Sequence, residues 1–119
     1  MYNYFMLIGR LTKDPELREY ADGKRVVNIR LAVSRGFKNS NGEIETDFYQ
    51  ISFWEFLVDF IVDNIKKGMP VFVKGRLQTH SEELANGYTL SYPILIGEKL
   101  LFFPSGSDKT ETLPTEEKE

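Results

Sequence analysis

The chain has 119 residues, a length that suits one domain able to bury a core without metal or disulfide support. It has no cysteine and one histidine, His80, which excludes a disulfide framework, a thiolate zinc site, a cysteine nucleophile and the usual His-rich metal clusters. The formal charge of −3 resides in residues 105–119, with two lysines and five acids, while residues 1–104 balance 13 Lys/Arg against 13 Asp/Glu, so only a local basic face could attract a polyanion.

Met1 to Leu11 is apolar on both faces and rich in strand formers, as in a strand covered on both sides. A core on one side and a partner subunit near the other would satisfy it. The start lacks the basic-then-apolar pattern of a secretory leader, and no stretch approaches the ~18 apolar residues of a membrane span. A cytoplasmic protein without membrane contact is expected. Thr12 to Glu16 is a turn that Pro15 keeps out of any ladder, Leu17 to Tyr20 is a short strand, and Ala21 to Lys24 carries a D-G hairpin signal.

Arg25 to Arg35 alternates cleanly, with Val27, Ile29, Leu31 and Val33 on one face and Asn28, Arg30, Ala32 and Ser34 on the other. The second face is small and carries one cation, which leaves room for something flat. Phe37 to Ile44 reads as a loop with an N-G turn. Thr46 to Trp54 then places Tyr49, Ile51 and Phe53 toward the core and Phe48, Gln50, Ser52 and Trp54 on the opposite side. Two rings bracketing small polar residues suit stacking on a nucleobase. The plainer alternative is that both rings pack under a neighbouring loop or helix.

Glu55 to Lys67 switches to helical periodicity, with a stripe of Leu57, Val58, Ile61, Val62 and Ile65 and with Gly68 as the residue that ends the helix. Such a helix plugs one end of a sheet. Pro70 to Leu77 is a strand with Val71, Val73 and Leu77 inward and Phe72, Lys74 and Arg76 outward, a second ring-and-cation face. Gln78 to Gly87 reads as a polar hairpin loop. Tyr88 to Phe103 returns as a long strand, and Pro93 and Gly97 mark an edge or a strong bend. Beyond Pro104 apolar periodicity ends and disorder is expected. The predicted domain is therefore 1–104, followed by an acidic tail, 105–119. The class is all-β: a five-stranded OB-type barrel with one helix between the third and fourth strands.

Four stretches in this order, L-I-G-R-L-T-K-D-P-E-L-R at Leu7–Arg18, V-N-I-R-L-A-V-S at Val27–Ser34, T-D-F-Y-Q-I-S-F-W at Thr46–Trp54 and K-K-G-M-P-V-F-V-K-G-R-L at Lys66–Leu77, resemble the bacterial single-stranded DNA-binding proteins. The likeness runs from Asn3 to Phe103. It implies an OB-fold subunit, usually a homotetramer, that wraps single-stranded DNA without reading its sequence in replication, recombination and repair, at the nucleoid and without a cofactor. It also implies base stacking by Phe37, Phe48, Trp54 and Phe72. Glu82 stands where relatives often carry a tryptophan, and Tyr88 across that hairpin is a substitute. Arg10, Lys13, Arg30, Lys38, Lys74 and Arg76 are the candidate phosphate contacts. The chain ends E-E-K-E without the apolar tip through which relatives recruit replication and repair enzymes.

Two other function classes are weighed against this one. An enzyme would have to use Asp14 with Glu16, Asp59 with Asp63, or His80. All of these read more simply as solvated groups in turns or on an exposed helix face. An OB-type assembly subunit, or a module for folded RNA, would use the same first strand for oligomerisation.

Overall fold

The computed structural model describes residues 1–103, so the expected acidic tail, 105–119, lies outside the described residues. The elements in chain order are β1 (Phe5–Leu11), β2 (Glu16–Glu19), β3 (Arg25–Lys38), β4 (Ile44–Trp54), a 3₁₀ turn (Glu55–Leu57) running into helix α1 (Val58–Asn64), β5 (Pro70–Glu83) and β6 (Thr89–Phe102). Strand order is β1-β5-β6-β4-β3-β2, and a further β1–β3 pairing closes five of the strands into a ring. The long β3 makes this possible. Its start pairs with β2, from Glu16↔Asn28 to Glu19↔Arg25, while Leu31 and Ala32 pair with Leu11 and Arg10 of β1. All the barrel pairings are antiparallel except β4–β6, which is parallel at Ile51↔Leu95 and Ser52↔Ile96. This is the OB barrel that the sequence suggests, and the short β2 flanks it. The helix falls between β4 and β5, the third and fourth barrel strands.

Alternation decides which side of each strand is core. Val27, Ile29 and Leu31 of β3, Ile51 and Phe53 of β4, and Val71 and Val73 of β5 are buried inside the ring. Val58 and Ile61 of α1, with Ile65 just beyond it, join the same cluster. Each such side chain contributes about 1.5–3 kcal/mol of apolar transfer. The close fit requires two glycines. A Cβ on Gly75 would lie 1.9 Å from the Ile96 carbonyl oxygen, and one on Gly97 would lie 2.2 Å from the Phe53 ring. Among the described residues no helix is long and apolar enough to cross a membrane.

Three boundaries and one burial differ from expectation. The helix stops at Asn64 rather than Lys67, because Ile65 turns extended (φ −103°, ψ 130°) and drops its side chain into the core. The following amides find partners outside the helix: Lys66 N–H donates to Met69 Sδ at 3.1 Å and Lys67 N–H to Asp14 Oδ1 at 2.8 Å. Gly68 does take a left-handed φ of 87°, but it serves this loop and donates to the Leu11 carbonyl at 2.9 Å. The expected loop 78–87 is mostly ladder, since β5 and β6 continue as a ribbon from Gln78↔Ile94 to Glu83↔Thr89. Both ribbon faces are solvated there, so polar side chains did not mark a loop. The loop expected at 37–44 likewise shrinks to a tight turn, in which Asn39 Oδ1 accepts from the amides of Asn41 (2.9 Å) and Glu43 (3.0 Å). Leu77, expected in the core, is 41% exposed, because it lies past a register shift at Lys74/Gly75 where the ribbon leaves the barrel. Pro93 sits opposite Thr79 in that ribbon, outside the β4 pairing, the edge position that proline requires.

Candidate nucleic-acid interface

Directly opposed residues of neighbouring strands share a face. The register Ala32↔Phe48, Arg30↔Gln50, Asn28↔Ser52 and Val26↔Trp54 therefore joins the outward sides of β3 and β4 into one surface. Strand β2 extends it, with Glu16 opposite Asn28 and Arg18 opposite Val26. On the other side Arg10 lies opposite Ala32, and beyond it Ile8 lies opposite Phe72 and Met6 opposite Lys74.

The rings of this surface are open. Phe48 is 51% exposed, and the Arg30 guanidinium carbon stands 4.4 Å from its ring centroid. That cation–π contact holds the guanidinium over the ring, and Nη1 also donates to Thr12 Oγ1 at 3.4 Å, which leaves its other N–H groups for an anion. Between the rings Ser52 Oγ donates to Asn28 Oδ1 at 2.6 Å, a link across β3 and β4 that flattens the floor. Trp54 is 38% exposed. Phe48 is open to solvent, whereas Trp54 has one face against the β2–β3 hairpin connection, part of the packing alternative that the sequence left open. A groove of about 330 Å³ runs over this floor, lined by Glu16, Arg18, Tyr20, Val26, Asn28, Gln50, Ser52 and Trp54.

One neighbour of Trp54 has no signal in the sequence. Tyr20 stacks on it with centroids 5.8 Å apart and planes 18° from parallel. The pairing depends on two registers at once: the D-G hairpin that sets β2 against β3, and the long β3–β4 ladder that brings Trp54 opposite Val26. Only the first has a local signal.

The other expected stacking residues are dispersed. Phe72 is half-buried on β5, one strand beyond β1 from the β3–β4 surface. Phe37 is exposed near the end of β3, past the irregularity between Ser34 and Lys38. Tyr88 is exposed in the turn that closes the β5–β6 ribbon, where Glu82 pairs with Leu90. Phe48 and Trp54 therefore share a face, whereas Phe37 and Tyr88 sit on hairpins at the periphery.

The cations also differ in their freedom. Arg76 is held by Glu98 at 3.0 Å and by Gln78 Oε1 at 3.2 Å. Arg10 donates to the Gly68 carbonyl at 3.1 Å, and Lys74 Nζ lies 5.5 Å from the Tyr4 ring centroid. Lys13 and Lys38 are exposed and have no ion pair among the described residues. Arg35 is engaged by Asp47 at 3.0 Å and Glu45 at 3.3 Å, and its hydrogen bonds hold the Asp47 carboxyl below the usual carboxylate value. Arg25 does the same to Asp59 at 2.8 Å. Both carboxylates are thus charged at neutral pH, and these two arginines are already neutralised.

The carboxylates considered for catalysis have other partners: Asp14 accepts from the Lys67 amide, and Asp59 pairs with Arg25. His80 leans on Tyr92 with centroids 5.4 Å apart. Among the described residues no group of three His, Cys, Asp or Glu side chains could hold a metal.

Comparison with known proteins identifies the family and the fold. Single-stranded DNA-binding protein B of Bacillus subtilis is 39% identical over 102 residues, which cover 86% of this chain and 90% of that protein. Single-stranded DNA-binding protein 1 of Chlorobaculum tepidum is 48% identical over 81 residues, 66% of this chain and 50% of that protein. The solved complex of Plasmodium falciparum SSB with ssDNA superposes with a TM-score of 0.73 at 27% identity, covering 87% of this chain and 96% of that one. The family model for the single-strand binding proteins matches residues 2–102, and the chain belongs to that family.

Proposed function

We propose that the chain binds single-stranded DNA without reading its sequence and so protects and organises it in replication, recombination and repair. The observation that carries this is the unbroken β3–β4 face, with Phe48 beneath Arg30 at one end and Trp54 at the other. The two residues are six positions apart on one strand, or about 20 Å, so each takes a different base. A good stack contributes roughly 1–3 kcal/mol, and every base has a π-face. Bases in a duplex already stack on one another, which leaves these rings nothing to reach. Arg30 unites both functions, since it lies on the Phe48 ring and presents N–H groups to the backbone that follows. Lys13, Lys38 and Lys74 supply further phosphate contacts, with Arg10 and Arg76 less free to do so.

The chain also assembles with copies of itself, most simply as a tetramer, through the outward side of β1, where Met6 and Ile8 are 59% and 62% exposed. Its role is binding rather than catalysis. Competition tests the reading. Labelled oligo-dT bound to the protein is challenged with unlabelled oligo-dT, duplex DNA and structured RNA of equal length. The single strand displaces the label at far lower concentration than the other two. Structured RNA competing equally well would favour the RNA-module alternative.

A further inference from the structure

We infer that Tyr20 is a further stacking residue and that, with Lys24, it forms an additional nucleotide position beyond Trp54 on the β2–β3 hairpin. The inference rests on the single-strand reading and extends it to a part of the chain outside the β3–β4 face.

Two parallel rings with centroids 5.8 Å apart are offset, so part of each face stays uncovered. Tyr20 is 46% exposed although it stacks on Trp54. Val26, opposite Trp54 on the same outward face, is only 2% exposed, yet the cover it receives leaves nearly half of the Tyr20 surface open to solvent. Tyr20 and Trp54 together stand between two clefts. One is the polar groove over Asn28 and Ser52. The other, of about 380 Å³, is lined by Tyr20, Ala21, Asp22, Lys24 and Trp54. A strand that leaves the groove past Trp54 meets the second cleft next, and there it finds an aromatic wall and an ammonium group.

The hairpin holds this cleft in shape. Tyr20 N–H donates to the Lys24 carbonyl at 2.8 Å, Gly23 N–H donates to the Tyr20 carbonyl at 2.9 Å, and Asp22 Oδ1 accepts from the Lys24 amide at 3.1 Å. The Asp22 carboxylate is thereby turned to the turn's own backbone. The Lys24 ammonium has no ion pair among the described residues. A ring face for a base and a free cation for the adjoining phosphate are the two components of a single-strand contact.

The test compares Tyr20→Ala and Tyr20→Phe with the parent chain, using oligo-dT long enough to run past Trp54. Tyr20→Ala weakens binding roughly 5-fold or more, the loss of one stack, and Tyr20→Phe stays within about 2-fold. Support of Trp54 alone is separated from direct contact by a second variant, Trp54→Phe with Tyr20→Trp, in which position 20 carries the sole tryptophan. Its fluorescence is quenched by oligo-dT if position 20 meets a base. Parent-like affinity of Tyr20→Ala, an equal loss in Tyr20→Phe, or an unquenched reporter on bound protein would overturn the inference. Failure of the parent chain itself to bind oligo-dT would instead overturn the single-strand reading.

Discussion

At the scale of single residues, Phe48 and Trp54 differ in how each ring is held. Phe48 is braced by a cation, Arg30 at 4.4 Å, and Trp54 by a second ring, Tyr20 at 5.8 Å. The two share no partner and are about 20 Å apart along β4, so their contributions are independent. Phe48→Ala and Trp54→Ala are each expected to weaken oligo-dT binding by roughly 5- to 100-fold. In the double variant the two free-energy losses should add, as read by fluorescence anisotropy of a labelled oligonucleotide. Both rings were legible in the sequence because period-two alternation put them opposite Ile51 and Phe53, which the core demands. Tyr20 was not, because its neighbour is brought to it by the long-range β3–β4 register. The freedom of each cation was equally hidden: nothing local shows that Arg76 is spent on Glu98, 22 positions away.

At the scale of elements, two residues without side chains let the barrel close where β5, β6 and β4 meet. Gly97→Ala would drive a methyl into the buried Phe53 ring, whose Cε2 would lie 2.2 Å from the new carbon. Overpacking of this kind costs about 1–3 kcal/mol, expected as a lower midpoint in urea unfolding with an unchanged slope. Phe53 precedes Trp54, so the same variant should also weaken oligo-dT binding, while Asp63→Ala on the exposed side of α1 should do neither. The barrel strands and their inward faces were readable because Val27, Ile29 and Leu31 alternate with Asn28 and Arg30, and because Val71 and Val73 precede Lys74 and Arg76 on the other face. The ends of elements were not. The ribbon from Gln78 to Glu83 is solvated on both faces and so has no apolar face to announce it. The helix ends where Ile65 reaches the core, a demand set by packing while the apolar stripe still ran on.

At the scale of the whole molecule, residues 1–104 carry no net charge, and Arg25, Arg35 and Arg76 are already paired with carboxylates. Affinity from stacking is insensitive to salt, and affinity from phosphate contacts is not. For a short oligo-dT that engages one subunit, the six assigned cations together with Lys24 limit the log–log salt slope to a magnitude of about 5. The paired ones should bring it lower. The proposed assembly through β1 is a second matter at this scale. Ile8 stands outward on β1 beside Phe72, and Ile8→Glu puts a charge on that face. By multi-angle light scattering the parent is expected to have the mass of an oligomer and the variant that of a monomer, with the barrel's circular dichroism retained. An unchanged mass would remove β1 from the interface.

The central claim, that a single DNA strand stacks its bases on the outward face of β3 and β4, is tested most directly by the protein's own fluorescence. Trp54 is the only tryptophan in the sequence, so its emission reports on one assigned contact. Titration with oligo-dT at low and at high salt should quench it to a sharp stoichiometric end point, with only a modest loss of affinity at high salt. Binding seen by anisotropy with Trp54 emission unchanged, or affinity that collapses with salt as steeply as for a strongly cationic duplex binder, would contradict it.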